Sequence, residues 1–461
     1  MEAIFEAIGA MLGNLGPLIV LPIVIIIIGL IMGMKLTQAL RSGLTLAIAF
    51  VGIFLTVGLL GEKMSVIGNA FSENTRTGLD VIDIGWPAAS ALAFGTPVGN
   101  AIIPLGIIIN ILLILLGLTK TLDVDIWNFW HQAFIGAVVT YLTGSFALGL
   151  FAAAVTVVMA LWLADWSQPL IQKYFKLPGL SFPHLQSAGY MLLAVPFAWL
   201  LNKVGFLKNL KLDPDSIRKR LGIMGEPIFL GFVIGVILAA FAGQTLVDII
   251  LTGINVGAVM LLIPRMVGIL MEGLSPVADA ARKFMQKNAK GREIFIGLDS
   301  AVLIGSPAVI ASGLLMIPVE IGLALLLSPL GNRTLPFIDL ADGVFVTAMI
   351  VPLVAGDVLL TVILGAIVMG IGLLGSTLLA PAVTDMVAKA GSIDIPAGFS
   401  NYTVMSDAAI PHSYIMYTFF KSPVFVGILL SLAFLAVHFI LVKALPMLKL
   451  FGGEEKVAEK K

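Results

Sequence analysis

The chain has 461 residues, of which 59% are hydrophobic and only 12% are charged, and its mean hydropathy is +1.07. A soluble fold of this length would carry about 25% charged residues, so the composition excludes a soluble globular protein. The 27 basic and 27 acidic residues balance, and nothing in the net charge points to nucleic acid. The absence of cysteine excludes disulfides, thiolate catalysis and cysteine-bound metal clusters.

Long apolar segments recur along the chain. Six of them carry no acidic or basic residue apart from an occasional histidine: Pro17–Met34, Ser42–Gly61, Ile84–Thr119, Gln132–Ala164, Val358–Thr384 and Ser422–Val442. Each is long enough to cross ~30 Å of hydrocarbon at ~1.5 Å per residue, and several can turn and return. The pattern predicts an all-α polytopic membrane protein with about 10–12 transmembrane segments. The first apolar stretch follows Glu2 and Glu6 rather than basic residues, so no cleavable signal peptide is expected.

The sequence resembles itself at an offset of 210 residues. Pro17–Asn110 aligns with Pro227–Glu320 without a gap, and the clearest match pairs Ser90–Pro97 with Ser300–Pro307. About a fifth of the aligned pairs are identical, where a composition this apolar would give roughly a tenth by chance. This similarity predicts two structural repeats.

Loop charge predicts that the repeats are inverted. The segment after the second span of repeat 2 is basic, whereas its counterpart in repeat 1 is mostly acidic, and the linker before repeat 2 is basic. The basic residues of these two segments are Arg282, Lys283, Lys287, Lys290 and Arg292, and Lys203, Lys208, Lys211, Arg218, Lys219 and Arg220. Short cytoplasmic loops accumulate Lys and Arg, so both segments are expected inside and the N-terminus outside. Inverted repeats are typical of transporters that alternate access around a midplane site.

The predicted organisation is a single membrane domain over residues 1–450. It comprises repeat 1 (about 10–165), a linker with one span (about 166–220), repeat 2 (about 221–390) and a C-terminal span (about 422–445), and a charged cytoplasmic tail (446–461) follows it.

Both repeats contain a predicted helix break inside an apolar stretch. Because Pro cannot continue a helix, the chain should break at Gly95-Thr96-Pro97 and at Gly305-Ser306-Pro307. A break at depth leaves free backbone groups beside a hydroxyl, which suits a neutral, hydroxyl-rich ligand. The alternative is a pair of proline kinks satisfied by neighbouring helices.

Acidic residues within apolar sequence are candidate functional groups. Asp299 is the first candidate because it lies six residues before the second break. Glu320, Asp342 and Asp357 are also flanked by apolar residues, and Glu320, opposite Asn110 in the repeat, is alternatively an interhelical hydrogen-bonding residue.

Two of the four histidines stand beside glutamine and aromatic residues. His131 and Gln132 follow Trp127 and Trp130, and Phe182-Pro183-His184-Leu185-Gln186 repeats the combination. Aromatic rings stack on sugar CH faces while His and Gln bond hydroxyls, although Trp127 and Trp130 also suit an interfacial aromatic belt. His412 echoes the Pro-His pair, and His438 is expected to be a packing residue. The histidines form no metal-ligand spacing, so neither a metal nor a cofactor is expected.

These motifs resemble the galactitol-type enzyme IIC permeases of the bacterial phosphotransferase system, grouped with the ascorbate permeases. The resemblance rests on the Trp-Asn-Phe-Trp-His-Gln and Pro-His-Leu-Gln-Ser-Ala segments and on both Gly-[Thr/Ser]-Pro breaks, and it covers essentially residues 1–450. It implies inverted repeats, a substrate-carrying core domain, a V-shaped dimerisation domain and elevator-like movement in the bacterial inner membrane. It further implies uptake of a hexitol, galactitol first among them, which is phosphorylated by the phosphocysteine of a separate IIB protein that IIA recharges.

The expected site rests on the polar residues within apolar sequence and on the family resemblance. Asp299 is the expected catalytic residue, as a base for the reacting hydroxyl. The expected substrate-binding residues are Thr96, Asn100, His131, Gln132, His184, Gln186, Ser300 and Ser306.

The resemblance and the spacing of Gly29 and Gly33 predict a homodimer in which the opening spans form the scaffold. An ion-coupled secondary transporter that uses Asp299 or Glu320 is the alternative; a channel or a purely structural subunit fits the paired breaks poorly.

Overall fold

A computed structural model of the chain describes residues 17–49, 51–52, 55–56, 78–94, 96–203, 227–288, 293–336, 338–390 and 400–451. This described part is mostly helical, and within it five helices are long and apolar enough to cross a membrane: Pro97–Leu115, Phe146–Phe175, Pro307–Leu326, Val358–Ala388 and Val424–Ala444. Leu185–Leu201 and Leu246–Val259 are shorter apolar helices. The polytopic helical membrane protein is therefore confirmed, while the count of 10–12 segments stays a prediction. Of the predicted basic linker, the residues after Lys203 lie outside the described residues, as does the end of the charged tail.

The helices fall before and after the linker. The first group is α1 (Pro17–Ile31), α2 (Gly85–Phe94), α3 (Pro97–Leu115), α4 (Phe129–Thr143), α5 (Phe146–Phe175) and α6 (Leu185–Leu201), and residues 36–49 are also helical. The second group is α7 (Pro227–Phe241), α8 (Leu246–Asn288), α9 (Pro307–Leu326), α10 (Gly343–Ala348), α11 (Val358–Ala390), α12 (Met405–Ala408), α13 (Pro411–Phe420), α14 (Val424–Ala444) and α15 (Met447–Phe451). Short 3₁₀ segments are η1 (Ile126–Asn128), η2 (Ser300–Gly305), η3 (Ser328–Leu330), η4 (Ile338–Asp342) and η5 (Val351–Val354).

Both predicted breaks are present. α2 ends at Phe94 and α3 begins at Pro97, and between them the Thr96 hydroxyl accepts a 3.0 Å hydrogen bond from the Gly99 amide. At the second break η2 ends at Gly305 and α9 begins at Pro307. Proline suits the first turn of a helix because its missing N–H would have no intrahelical partner there. The two breaks differ in what precedes them, since α2 is an α-helix and η2 a 3₁₀ segment.

The ranges given above also contain six strands of two or three residues, a feature that the all-α prediction lacked. They are β1 (Val81–Asp83), β2 (Thr121–Asp123), β3 (Leu180–Ser181), β4 (Phe295–Gly297), β5 (Thr334–Leu335) and β6 (Asn401–Thr403). They form two parallel sheets, with the orders β5-β1-β6 and β2-β4-β3. The middle strand of each sheet comes from one half of the chain and both of its neighbours come from the other half.

Burial separates interior helices from lipid-facing ones. In α4 every residue from Phe129 to Val139 is buried. In α14 only Gly427, Ser431 and His438 are buried, whereas large side chains such as Phe425 and Ile440 are exposed. An apolar helix exposed in this way meets lipid rather than water, so α14 lies at the periphery and α4 at the centre.

Gly29 and Gly33, which the sequence suggested for contact between subunits, serve within the chain. Gly33 has a φ of +88°, just after the end of α1, a conformation that glycine adopts readily. A Cβ at Gly29 would lie 2.8 Å from Sδ of Met34 in the same turn. Both glycines therefore have a role in the turn after α1, and their part in a dimer contact stays a prediction.

Candidate functional site

Three acidic or histidine side chains follow the three strands of the sheet β2-β4-β3. Asp125 follows β2, His184 follows β3 and Asp299 follows β4, each by two or three residues. Because the carboxyl ends of parallel strands meet at one edge of a sheet, the fold brings these residues together. The Asp299 amide donates a 3.2 Å hydrogen bond to Oδ2 of Asp125, which fixes the two loops against each other.

Helix starts orient two of these side chains. Asp299 precedes η2, and its Oδ1 accepts a 2.8 Å hydrogen bond from the Ala301 amide. His184 precedes α6, and its Nδ1 accepts from the Ser187 amide at 3.4 Å. Such capping satisfies a backbone donor that has no partner within the helix. It also holds each side chain at the sheet edge.

A continuous line of buried polar groups passes through the two histidines. His131, in the first turn of α4, lies with Nδ1 3.0 and 3.1 Å from the two carboxylate oxygens of Asp407. Its Nε2 lies 3.0 Å from Nε2 of His184, and that atom is also 3.6 Å from Oδ1 of Asp299. The side chains of His131 and Asp407 have no solvent exposure.

Two serines continue the line on the far side of His184. Nδ1 of His184 lies 2.9 Å from Oγ of Ser300 and 3.2 Å from Oγ of Ser187. The two hydroxyl oxygens are 2.7 Å apart, and Ser187 donates to the Phe345 carbonyl at 2.7 Å. Side chains from α4, α6, α12 and η2 thus share one hydrogen-bond network.

The other sheet supplies a second group of carboxylates. Asp83 ends β1 and accepts hydrogen bonds from the Gly85, Asp339 and Met405 amides. Asp339 follows β5 and accepts from the Trp86 and Ser406 amides, each at 2.8 Å. These bonds tie the ends of β1, β5 and β6 together, and they place Asp407, after β6, beside His131.

Gln186, two residues after His184, reaches the η4 segment that also carries Asp339. Its Nε2 donates a 2.8 Å hydrogen bond to Oδ2 of Asp342 at the end of η4. Among the described residues, the partners of Asp339, Asp342 and Asp407 are amides, Gln186 and His131, and none of the ion pairs joins these acids to Lys or Arg. The site therefore offers many hydrogen-bonding groups and no counter-cation, which fits a neutral ligand better than an anion.

The expected site residues fall into three sets. His131, His184, Asp299 and Ser300 share the network, whereas Gln186 donates its hydrogen bond to Asp342, outside that network. Gln132 is buried beside them, with its Oε1 unpartnered among the described residues. Thr96 caps α3 instead, and Ser306 is hydrogen-bonded to Tyr174. Asn100 lies in the first turn of α3, but its side chain is outside the described residues.

Sequence reasoning missed Asp407, Ser187, Asp125, Asp83 and Asp339. Asp407 stands in Val404-Met405-Ser406-Asp407-Ala408, an acid within apolar sequence, so the criterion that selected Asp342 would also have found it. Of the other acids singled out, Asp357 accepts from the Leu360 amide at the start of α11. Glu320 is buried, with Oε1 unpartnered among the described residues.

A second histidine pair and a cavity lie outside this network. Nε2 of His412 is 3.0 Å from Nε2 of His438, so His438 has a specific partner beyond the expected packing role. A cavity of about 800 Å³ is bounded by the ends of α5 and α14, and includes Lys120, Trp162 and Lys443 in its lining. It contains none of the expected site residues.

Comparison with known proteins identifies the family to which the chain belongs. Residues 11–398 match the family model described as PTS system sugar-specific permease component. The galactitol-specific EIIC component of the PTS in Escherichia coli K12 is 36% identical over 380 residues, which are 82% of this chain and 84% of the relative. The corresponding component of Escherichia coli O157:H7 shows the same identity and coverage. A further K12 protein described as a permease IIC component is 39% identical over 382 residues, 82% of this chain and 86% of that relative. The chain is a membrane protein of the PTS sugar-specific permease family.

Proposed function

We propose that the chain imports a hexitol, with galactitol as the first candidate, and presents it to a separate phosphorylated IIB protein. The observation that carries the proposal is the buried network of His131, His184, Asp299 and Ser300 at the ends of β3 and β4. A hexitol is neutral and presents six hydroxyl groups, each a donor and an acceptor, which matches a site of this chemistry. The galactitol-specific relatives support the choice of hexitol.

In this proposal Asp299, His131, Gln132, His184, Gln186 and Ser300 contact the hexitol. Thr96, Ser306 and Asn100, beside the two breaks, contribute through the ends of the half-helices. Asp299 is one candidate for the base that receives the proton of the reacting hydroxyl. The phosphoryl group comes from IIB, because this chain has no cysteine to carry it.

Inverted repeats and a homodimer belong to the same proposal. The two sheets support the repeat because they have corresponding strand orders. β1 and β4 are the middle strands, β5 corresponds to β2, and β6 corresponds to β3. Each middle strand comes from one half of the chain and its two neighbours come from the other half. A dimer scaffold built from the opening spans, with a moving core, follows from the family. Cross-linking in native membranes tests it, and detection of monomers alone would contradict it.

The decisive experiment uses the purified permease in vesicles. Galactitol should bind without other proteins, and galactitol phosphate should form only when phosphorylated IIB is added. Mannitol and sorbitol serve as competing hexitols that test the substrate. Vesicles that accumulate free galactitol in a pH gradient without IIB would favour the ion-coupled alternative. Its supporting observation is buried Glu320, whose Oε1 has no hydrogen-bond partner in the part of the chain that the structure describes.

A further inference from the structure

Asp407, His131, His184 and Ser300 form an unbroken line of hydrogen-bonding groups. The three contacts along the line measure 3.0 Å from Asp407 to His131, 3.0 Å between the histidines and 2.9 Å from His184 to Ser300. All four side chains are buried. Lines of this kind carry protons when each group can both give and receive one, as imidazole and hydroxyl can.

The contacts determine the direction of the hydrogen bonds once Asp407 is taken as ionised. Nδ1–H of His131 then donates to Asp407, so Nε2 of His131 accepts and His184 carries its proton on Nε2. Oδ1 of Asp299, 3.6 Å from that nitrogen, favours the same tautomer. Nδ1 of His184 is left as an acceptor, and the Ser300 hydroxyl donates to it. Ser187 is then the donor in the 2.7 Å contact between the two serines, and its proton is shared with the Phe345 carbonyl.

The same line of side chains has a second protonation state, which contains one more proton than the first. A proton that arrives at Nδ1 of His184 allows its Nε2 proton to pass to His131, whose Nδ1 proton passes to Asp407. Both rings end neutral and only Asp407 changes charge. In a buried site this arrangement avoids an imidazolium ion, whose formation would carry a desolvation cost.

We propose that this line is the route by which the reacting hydroxyl loses its proton, with Asp407 as the final acceptor. The inference rests on the proposed function. The hydroxyl oxygen forms a bond to phosphorus, the P–S bond of phosphocysteine breaks, and the thiolate of IIB leaves with the electron pair. The hydroxyl proton passes to Ser300 as the proton of Ser300 passes to His184, and the shift ends with a neutral Asp407, so the total charge is unchanged.

This route gives Asp299 a different task from that of a base. Its Oδ1 is engaged by the Ala301 amide at 2.8 Å and faces the protonated nitrogen of His184. Asp299 then accepts hydrogen bonds from hydroxyls of the substrate, and it only reinforces a tautomer of His184 that Asp407 already sets through His131. Asp407 acts through His131 and is a positioning residue as well as the terminus of the line.

The test compares Asp407→Asn with Asp407→Glu and Asp357→Asn. Asparagine keeps a hydrogen-bonding group at position 407 but cannot hold the proton, whereas glutamate can. Asp357→Asn is the matched control, because it removes a buried acid that caps α11 away from the line. Galactitol binding is measured on the permease alone, and galactitol phosphate formation is measured with phosphorylated IIB at saturating galactitol.

For Asp407→Asn we expect a dissociation constant within about threefold of wild type and a turnover lower by roughly 10²–10⁴-fold, the usual contribution of acid–base catalysis. Asp407→Glu should recover part of the turnover. Asp357→Asn should retain the wild-type dissociation constant and the wild-type turnover. Equal losses of binding and turnover, or an unchanged turnover, would overturn the proposal. If wild type forms no galactitol phosphate, the proposed function fails rather than the relay alone.

A measurement on the wild-type protein covers the case in which Asp407→Asn does not fold. Single-turnover phosphoryl transfer to bound galactitol is followed in mixtures of H₂O and D₂O. Several protons that move together give a curved dependence of rate on deuterium fraction. A linear dependence, or none, would overturn the relay.

Discussion

Arg333 donates hydrogen bonds to both carboxylate oxygens of Asp80, although 253 positions separate the two residues. Asp80 directly precedes β1 and Arg333 directly precedes β5. Ser400, directly before β6, donates to the same carboxylate at 2.7 Å. One acidic side chain thus joins the starts of all three strands in the sheet β5-β1-β6, at the opposite end from Asp83 and the site.

The first prediction concerns the pH dependence of this junction. Hydrogen bonding by Arg333 lowers the pKa of Asp80 below its usual value of 3.8. The unfolded chain therefore binds this proton at higher pH than the folded one, so the contribution to stability is full above about pH 4 and is lost as pH falls through the lowered pKa. Thermal unfolding in detergent from pH 3 to 7 should show a shallower acid decline for Arg333→Gln than for wild type. Lys120→Gln, which breaks the exposed Lys120–Glu293 pair, should keep the wild-type slope, and equal slopes for wild type and Arg333→Gln would contradict the prediction.

The second prediction separates the two proton routes. Asp299→Asn removes charge-assisted hydrogen bonds worth roughly 1.5–3 kcal/mol, so galactitol binding should weaken about 10- to 100-fold. If Asp407 receives the proton, the turnover of the Asp299→Asn variant at saturating galactitol should stay near the wild-type value. A turnover that falls further than binding would assign the base to Asp299. Calorimetric binding and phosphate formation on the same preparation give both numbers.

The third prediction uses two glycines of α9. A Cβ at Gly313 would lie 2.6 Å from the Cα of Val344 in α10, whereas a Cβ at Gly322 would meet nothing within 4 Å. Gly313→Ala should cost about 1–3 kcal/mol of stability, because backbone would have to move, and it should weaken galactitol binding by shifting Asp342 away from Gln186. Gly322→Ala should be neutral or stabilising by up to about 1 kcal/mol, since alanine favours a helix. Melting temperatures that rank the two the other way would refute this packing.

The fourth prediction compares the two breaks. Thr96 caps α3 through the Gly99 amide, whereas Ser306 makes no side-chain cap on α9. Thr96→Ala should therefore lower stability by about 0.5–2 kcal/mol through the lost cap. Ser306→Ala loses its hydrogen bond to Tyr174 but no cap, so its melting temperature should fall less. If both variants instead lose galactitol binding with unchanged stability, the hydroxyls contact substrate.

Much of the architecture could be predicted because a membrane-spanning helix requires a long apolar segment, which is easily recognised in a sequence. Apolar length identified the long helices, and proline within apolar sequence located both breaks. His131, His184 and Asp299 stood out for the same reason, since a polar side chain in an apolar environment needs a partner or a ligand. Their role in binding stays a prediction.

The pairing of these residues could not be predicted. His131 and Asp407 are 276 positions apart, and nothing local in either segment specifies the other. Strands of two or three residues are too short to show alternation, so the sheets that position the site left no pattern. Gly33 adds a second example, because the sequence drew attention to its spacing from Gly29 but not to the turn that it forms after α1 with a φ of +88°.

The exchange of strands between the halves has a consequence for biosynthesis. β1 is translated long before β6, since Asp80 and Ser400 at their starts are 320 residues apart, a delay of about 15–60 s at typical rates of synthesis. During that interval β1 has no partner until β5 is made and keeps one unpaired edge until β6 is made, while the sheet β2-β4-β3 is complete as soon as β4 is made. Docking of β6 is then a late event in assembly, and the same step delivers Asp407 to His131. A chain that ends before residue 400 lacks both α14, one of its long helices, and Asp407, the residue that completes the hydrogen-bonded line through His131.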